Sequence, residues 1–475
     1  MRNGIGACVV SHIFGEAMGP DLHFPCSEGI RRANRFAAAQ CRRNPGRLFF
    51  MGYINAQNPD WQEEMDRSIA DGACGIKLWI SLKDPRGSLE NTVEVLRAAA
   101  FRKKPVYLHV FNRTGGNLPG EIDMAEFIEL AQTVPDCRMI AGHTGGNWRR
   151  SAEIVSRCPD NVWMETGGSN PDYGMVDGIL KFCPPERLLY GSDAPGRAFF
   201  PQIWKILESS LSEADREKVF FRNAVKLLDL PEPLPVTEPP AVPQKVPGPA
   251  NVDYCCFCGH YPFERRPEVS PEQLEKLLEQ EGIESAYTAA FEAVFGRANQ
   301  EFLNACRGLR RVKPLASADP ADPECETLLR EMASEPGWHG IWLSPAFHLW
   351  RLDDPVHADF LRQCAAVGKP VFINCGFYEP RFFDPRLRIR EVSDDELRSF
   401  LKNTPVKNCI IQGKIPFAGA GDLPPCFWCY TRLSDGNAMS SVMDRPDAPH
   451  LVRGSEFPFR HLHETLAAVQ FRYCP

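Results

Sequence analysis

Short apolar runs, each preceded by a helix-like stretch, recur along this chain. Val106-Tyr107-Leu108-His109-Val110 follows Asn91–Ala100, and Gly75-Ile76-Lys77-Leu78-Trp79 is another such run. Strand after helix after strand predicts a parallel sheet. The pattern also repeats. Gly75–Trp79 matches Gly340-Ile341-Trp342-Leu343-Ser344, and Lys104-Pro105-Val106-Tyr107-Leu108-His109 matches Lys369-Pro370-Val371-Phe372-Ile373-Asn374, both at an offset of 265. Gly191-Ser192-Asp193-Ala194-Pro195 matches Gly454-Ser455-Glu456-Phe457-Pro458 at an offset of 263. Between the halves lies Pro231-Glu232-Pro233-Leu234-Pro235, with further prolines through Pro249. Proline lacks the backbone donor and fixes φ, so this stretch reads as an extended tether. The expected organisation is residues 1–230, a linker at 231–250, and residues 251–475. With this many units and no Gly-x-Gly-x-x-Gly after a first strand, the reading is α/β, two tandem TIM-like (β/α)8 barrels.

Composition narrows the function classes. The 475 residues hold 54 Lys+Arg against 61 Asp+Glu, a net charge of −7, which excludes nucleic-acid binding driven by bulk basic charge. Hydrophobic content of 43% with 24% charged residues is that of a soluble globular chain. No stretch reaches the ~18 apolar residues of a membrane span, and the start makes a poor signal peptide, so the cytoplasm is expected. The 18 cysteines are scattered without an export signal, and Cys8, Cys74, Cys183 and Cys409 sit in apolar runs, which favours reduced, buried thiols. Cys255…Cys258 and Cys426…Cys429 lie too far apart for a zinc ribbon, and residues three apart on a strand face opposite ways.

Candidate chemistry sits where predicted strands end. His109 closes Val106–Leu108, His143 closes Arg138-Met139-Ile140-Ala141-Gly142, and Asp193 closes Leu188-Leu189-Tyr190-Gly191-Ser192. Barrel active sites lie at that rim, and imidazole and carboxylate are suitable ligands for Zn or another divalent ion, with Mn and Fe as alternatives. A bound water there would ionise near neutral pH.

These residues, with the tail Phe221-Arg222-Asn223-Ala224-Val225-Lys226-Leu227-Leu228, make residues from about 5 to 230 resemble the amidohydrolase superfamily, in its amidohydrolase-related branch of metal-dependent hydrolases and decarboxylases. The resemblance implies that His109 and Asp193 ligate the metal and that Asp193 also serves as base. It implies that His143 is either a ligand or a substrate-polarising group. Lys77 occupies the strand on which some members carry a carboxylated lysine, against the plainer reading of a lysine at the rim or outer wall. One departure is plain. Members open with Asp-x-His-x-His, which is found nowhere here; the only His-x-His is His461-Leu462-His463. The first half therefore aligns from its second strand, either because upstream codons encode the first or because the barrel is incomplete. His12 is a substitute ligand or a rim histidine. In the second half the counterparts of His109, His143 and Asp193 are Asn374, Gln412 and Glu456, and the two His places of the first strand hold Cys255 and Phe257, so that half reads as degenerate.

Loops after the ligand strands supply substrate candidates: Arg113, before Thr114-Gly115-Gly116-Asn117, and Trp148 and Arg149, after Thr144-Gly145-Gly146-Asn147. Glu165, ending Val162-Trp163-Met164, is expected beside the metal ligands. The expected activity is metal-dependent hydrolysis of a small amide, ester or lactone; alternatives are a decarboxylase of the same family or a pseudoenzyme. The expected partner is a small-molecule substrate, with no nucleic acid and no membrane, and self-association into a homo-oligomer left open.

Overall fold

The computed structural model describes residues 5–13, 26–79, 85–113, 116–117, 121–168, 172–194, 197, 199–231, 251–264, 266–376, 384, 386–404, 406, 408–417, 419–420, 423–424, 426–430 and 450–462. The proline-rich stretch from residue 232 to 250, Thr114, Gly115 and His463 lie outside them. Contacts divide the chain into two compact units, the first holding most of the described residues up to 231 and the second those from 251 on.

The first unit holds a seven-stranded parallel sheet in sequence order: β1 Cys8–Val10, β2 Leu48–Ile54, β3 Gly75–Leu78, β4 Val106–Leu108, β5 Met139–Ala141, β6 Val162–Glu165 and β7 Leu188–Leu189. Helices connect them: α1 Ser27–Arg43, α2 Trp61–Ala70, α3 Pro85–Phe101, α4 Met124–Thr133, α5 Trp148–Val155 and α6 Met175–Leu180. Their apolar faces explain the layering. Val95, Leu96 and Ala99 of α3, Phe127, Leu130 and Ala131 of α4, and Val155 of α5 pack on Ile76, Leu78, Val106, Leu108, Met139, Ala141, Val162 and Met164. Side chains alternate along a strand, so the intervening residues face the other way. There Met51, Tyr107, Ile140, Trp163 and Leu189 form a second, inner cluster with Leu227 and Leu228 of the closing helix Asn223–Leu228. Among the described residues no strand pairs with the outer edge of β1 or of β7, in keeping with a barrel that starts at its second strand.

The second unit has eight parallel strands: β8 Val252–Cys258, β9 Ser285–Ala290, β10 Val312–Ala318, β11 Gly340–Leu343, β12 Val371–Asn374, β13 Cys409–Gln412, β14 Cys426–Tyr430 and β15 His450–Arg453. Beyond β15 the chain returns to β8: Phe257 N donates to Phe457 O at 2.7 Å, and Glu456 N to Cys255 O at 2.8 Å. Those bonds bring this sheet close to a closed barrel. Polar side chains in its interior bond one another and the backbone. Asn374 Nδ2 donates to Gln412 Oε1 (3.3 Å), Gln412 Nε2 to the carbonyl of Tyr254 (2.5 Å), and Arg460 Nε to Glu456 Oε2 (3.1 Å). Cys255, Cys258, Cys426 and Cys429 are buried free thiols.

Candidate metal centre

Register brings the site together. Lys77 pairs with Tyr107 across β3 and β4, and Tyr107 with Ile140 across β4 and β5, so their side chains share the inner face. His109 follows two residues after Tyr107, and its backbone N–H donates to Leu78 O at 3.0 Å. His143 comes just past β5 in the tight turn Gly142–Gly145, where it adopts φ 59° and Thr144 φ 44°. A left-handed backbone at two non-glycine residues persists only where the surroundings compel it. Here Glu165 Oε2 accepts His143 N–H at 3.0 Å and the Tyr107 hydroxyl at 2.7 Å, while Glu165 Oε1 accepts Gly167 N–H at 2.6 Å.

Two glycines make room for this packing. A Cβ on Gly168, whose φ is +80°, would stand 2.0 Å from His143 Nδ1; one on Gly191 would stand 1.4 Å from Glu165 Oε1. Even alanine would displace the imidazole or the carboxylate.

The two histidines meet edge to face, ring centroids 4.9 Å apart, with His143 Nε2 at 3.1 Å from His109 Nδ1. His143 Nδ1 lies 3.1 Å from the carbonyl of Gly167. A carbonyl only accepts, so Nδ1 carries the proton and Nε2 of the neutral ring presents its lone pair to His109. Both rings are neutral at pH 7. Burial pushes His109 down to about 3, opposed in part by Glu121, and burial likewise lowers His143 against the pull of Asp193 and Glu165. Burial and the Glu165 carboxylate hold the Tyr107 phenol far above its usual range, so it stays a donor.

Lys77 is 7% exposed, its Nζ 3.7 Å from the centroid of the Tyr107 ring. Burial depresses its ammonium to about 8, although Asp193 and Glu165 pull the other way. The plainer expectation of a head at the rim or outer wall gives way to a buried inner-face cation.

The remaining candidates are placed as follows. Glu165 lies beside His143. Asp193 is exposed, with φ 55°, and its charge acts on His143 and Lys77. Glu456, its counterpart, shares that left-handed backbone with φ 57°. Arg113 grips Glu121 with two bonds, Nε to Oε2 at 2.7 Å and Nη2 to Oε1 at 3.1 Å. Trp148 is in the helix-side core, where a Cβ on Gly178 would come within 2.2 Å of its ring, and the Arg149 guanidinium lies 4.3 Å over that ring. His12 packs on Phe36, ring centroids 5.2 Å apart. Tyr107 and Glu121 are site residues that the sequence did not single out.

The facing nitrogens of His109 and His143 test the fit of a metal. At 3.1 Å the two nitrogens can share either a proton or a cation, and which they share depends on the tautomer of His109. Neutral imidazoles are good ligands for Zn and related divalent ions. Two ligand positions are thus present, although among the described residues no three His, Cys, Asp or Glu side chains close into one ligating group.

Comparison with known proteins bears on the same half. The family model described as Amidohydrolase matches residues 21–230. No curated protein matches the chain. Among solved structures, 2,6-dihydroxybenzoate decarboxylase from Rhizobium is similar at 20% identity, over 43% of this chain and 78% of that one, with a TM-score of 0.37. For 5-carboxyvanillate decarboxylase from Sphingomonas paucimobilis the identity is 15%, the coverage 47% and 78%, and the TM-score 0.36. For the enzyme of that name from Novosphingobium aromaticivorans, a complex with manganese, the values are 18%, 48% and 77%, and 0.39.

Proposed function

We propose that the first half of the chain, which the Amidohydrolase family model matches over residues 21–230, is a metal-dependent hydrolase acting on a small amide, ester or lactone. The observation that carries this reading is the pair of neutral imidazoles, His109 Nδ1 and His143 Nε2, facing each other at 3.1 Å on the inner face where β4 and β5 end. These two nitrogens would hold a divalent ion, Zn or else Mn or Fe, with Asp193 as the carboxylate of the set. When bound, such an ion supplies Lewis acidity, which polarises a carbonyl and makes water acidic near neutral pH.

The chain's own groups do the rest. Asp193, exposed in the segment that follows β7, takes the proton of the attacking water and returns it to the leaving group. Glu165 holds His143 and Tyr107 in place through its three accepted bonds. Lys77 places positive charge beneath the site, where it favours an anionic substrate or a developing oxyanion.

The test is turnover by the full-length protein loaded with Zn or Mn against a panel of p-nitrophenyl esters, lactones and small amides, with phenolic carboxylic acids alongside. Metal-dependent hydrolysis, lowered at least about 100-fold in Asp193→Asn with metal still bound, is expected. Release of CO2 from the acids without hydrolysis would replace this assignment with a lyase. A metal-loaded protein inert toward both classes would overturn the reading in favour of a binding role.

A further inference from the structure

The Glu121 side chain is buried, 6% exposed, and the reaction scheme above gives it no step. The backbone around it is pinned. Phe111 N–H donates to Ile122 O at 2.9 Å, and Asn117 Nδ2 bonds both Phe111 O (2.5 Å) and Glu121 O (3.2 Å). Two residues later Asp123 caps α4 through a reciprocal pair with Glu126. The carboxylate is therefore aimed by its surroundings. Arg113 takes it with two bonds and balances its charge, while Oε1 lies 3.7 Å from His109 Nε2, on the far side of the ring from His143.

We propose that Glu121 is a positioning residue that fixes the tautomer of His109, holding the ring proton on Nε2 so that the Nδ1 lone pair points at His143. A neutral imidazole has one N–H and one lone pair, and a carboxylate attracts the N–H. His143 is set independently, since Gly167 O takes its Nδ1 proton and leaves Nε2 bare. Two neutral rings left to themselves share a proton between the facing nitrogens. That arrangement turns Nε2 of His109, now a lone pair, toward a carboxylate that repels it. With Glu121 present the proton is drawn outward, and both facing nitrogens become donors to a cation. Carboxylate partners of this kind orient ligating histidines and raise their basicity. Arg113 belongs to the same chain of contacts, its guanidinium holding Glu121 against the ring. It is thereby tied to the metal ligands rather than to substrate.

This inference rests on the metal reading for its consequence and stands apart from it in its test. His109 is assigned by 15N labelling of histidine in the full-length, metal-free protein, and its two ring nitrogens are read by NMR in wild type, Glu121→Ala and Glu121→Gln; Zn affinity is measured by calorimetry on the same samples. Wild type is expected to carry the proton on Nε2 of His109. Glu121→Ala is expected to move it to Nδ1 and weaken Zn binding about 10- to 100-fold. Glu121→Gln, which keeps an acceptor oxygen and the shape of the side chain, should restore the Nε2 proton in part and covers the case in which Glu121→Ala does not fold. A merely structural Glu121 would alter stability and leave the tautomer unchanged. The proposal is overturned if the His109 proton sits on the same nitrogen in all folded variants. Absence of Zn binding in wild type would instead strike the metal reading, with the NMR result still deciding the role of Glu121.

Discussion

Lys77→Met removes a buried charge that weakens the fold, and the size of the effect follows from its surroundings. Burial lowers the ammonium from an ordinary 10.5 to about 8. The depression of about 2.5 pH units corresponds to about 3 kcal/mol at 1.36 kcal/mol per unit. Methionine fills similar volume without the charge, although it forfeits the cation–π contact with Tyr107, which contributes about 0.5–2 kcal/mol. The net expectation for metal-free protein at pH 7 is a gain of about 1–3 kcal/mol, or about 2–12 °C in the midpoint of a unit this size. The pH dependence gives the sharper signature. Between about 8 and 10.5 the unfolded chain keeps a proton that the folded chain has released, so wild-type stability rises with pH across that window. The variant's advantage is therefore complete below about pH 8 and absent above about pH 10.5. Scanning calorimetry of both proteins with chelator at pH 7, 9 and 10.5 measures it. A variant less stable than wild type at pH 7, or an advantage that does not change with pH, would refute the reasoning. A charge kept at such a cost to the fold points to use at the site, so turnover should fall at least about tenfold in the stabilised variant.

Glu165→Ala strands the Tyr107 hydroxyl and two backbone N–H groups in the interior. At about 1–3 kcal/mol for each unsatisfied group, the first unit should lose at least about 3 kcal/mol in a denaturant titration. Gly168→Ala drives a methyl against His143 Nδ1 and should weaken Zn binding at least about tenfold by calorimetry. Gly116→Ala is its control: φ is +98° with nothing within 4 Å, so backbone strain lowers stability by about 1 kcal/mol while Zn affinity is unchanged. Phe127→Ala, which empties a fully buried place between α4 and the sheet, should cost about 3–5 kcal/mol in the same titration and leave the His109 NMR signals unshifted.

The parallel order of the strands was legible because helix-like stretches alternate with apolar runs, and His109 and His143 were legible because each ends such a run. The direction of Lys77 was not. Gly75–Leu78 is buried at every position, so its apolar residues mark no face, and only the register with Tyr107 shows the ammonium turned inward. Trp148 stands in a glycine-rich stretch that reads as rim, yet it opens α5 and drops its ring onto Gly178. Arg113 looked free to take a substrate carboxylate; its partner, Glu121, is eight residues away across a loop whose path no periodicity predicts. In the second half Asn374 and Gln412 stand where the sequence match would place histidines, and their amides bond each other.

The central claim is that His109 and His143 are two ligands of one divalent ion. Its most direct test is the amount of metal held by full-length protein that has been stripped with chelator, dialysed against Zn or Mn and counted by elemental analysis. The variants His109→Ala and His143→Ala are treated alongside and checked for folding by circular dichroism. The account predicts about one tightly held ion per wild-type chain and its loss from both folded variants. Less than about 0.1 equivalent in folded wild type, or the same content in wild type and both variants, would contradict it.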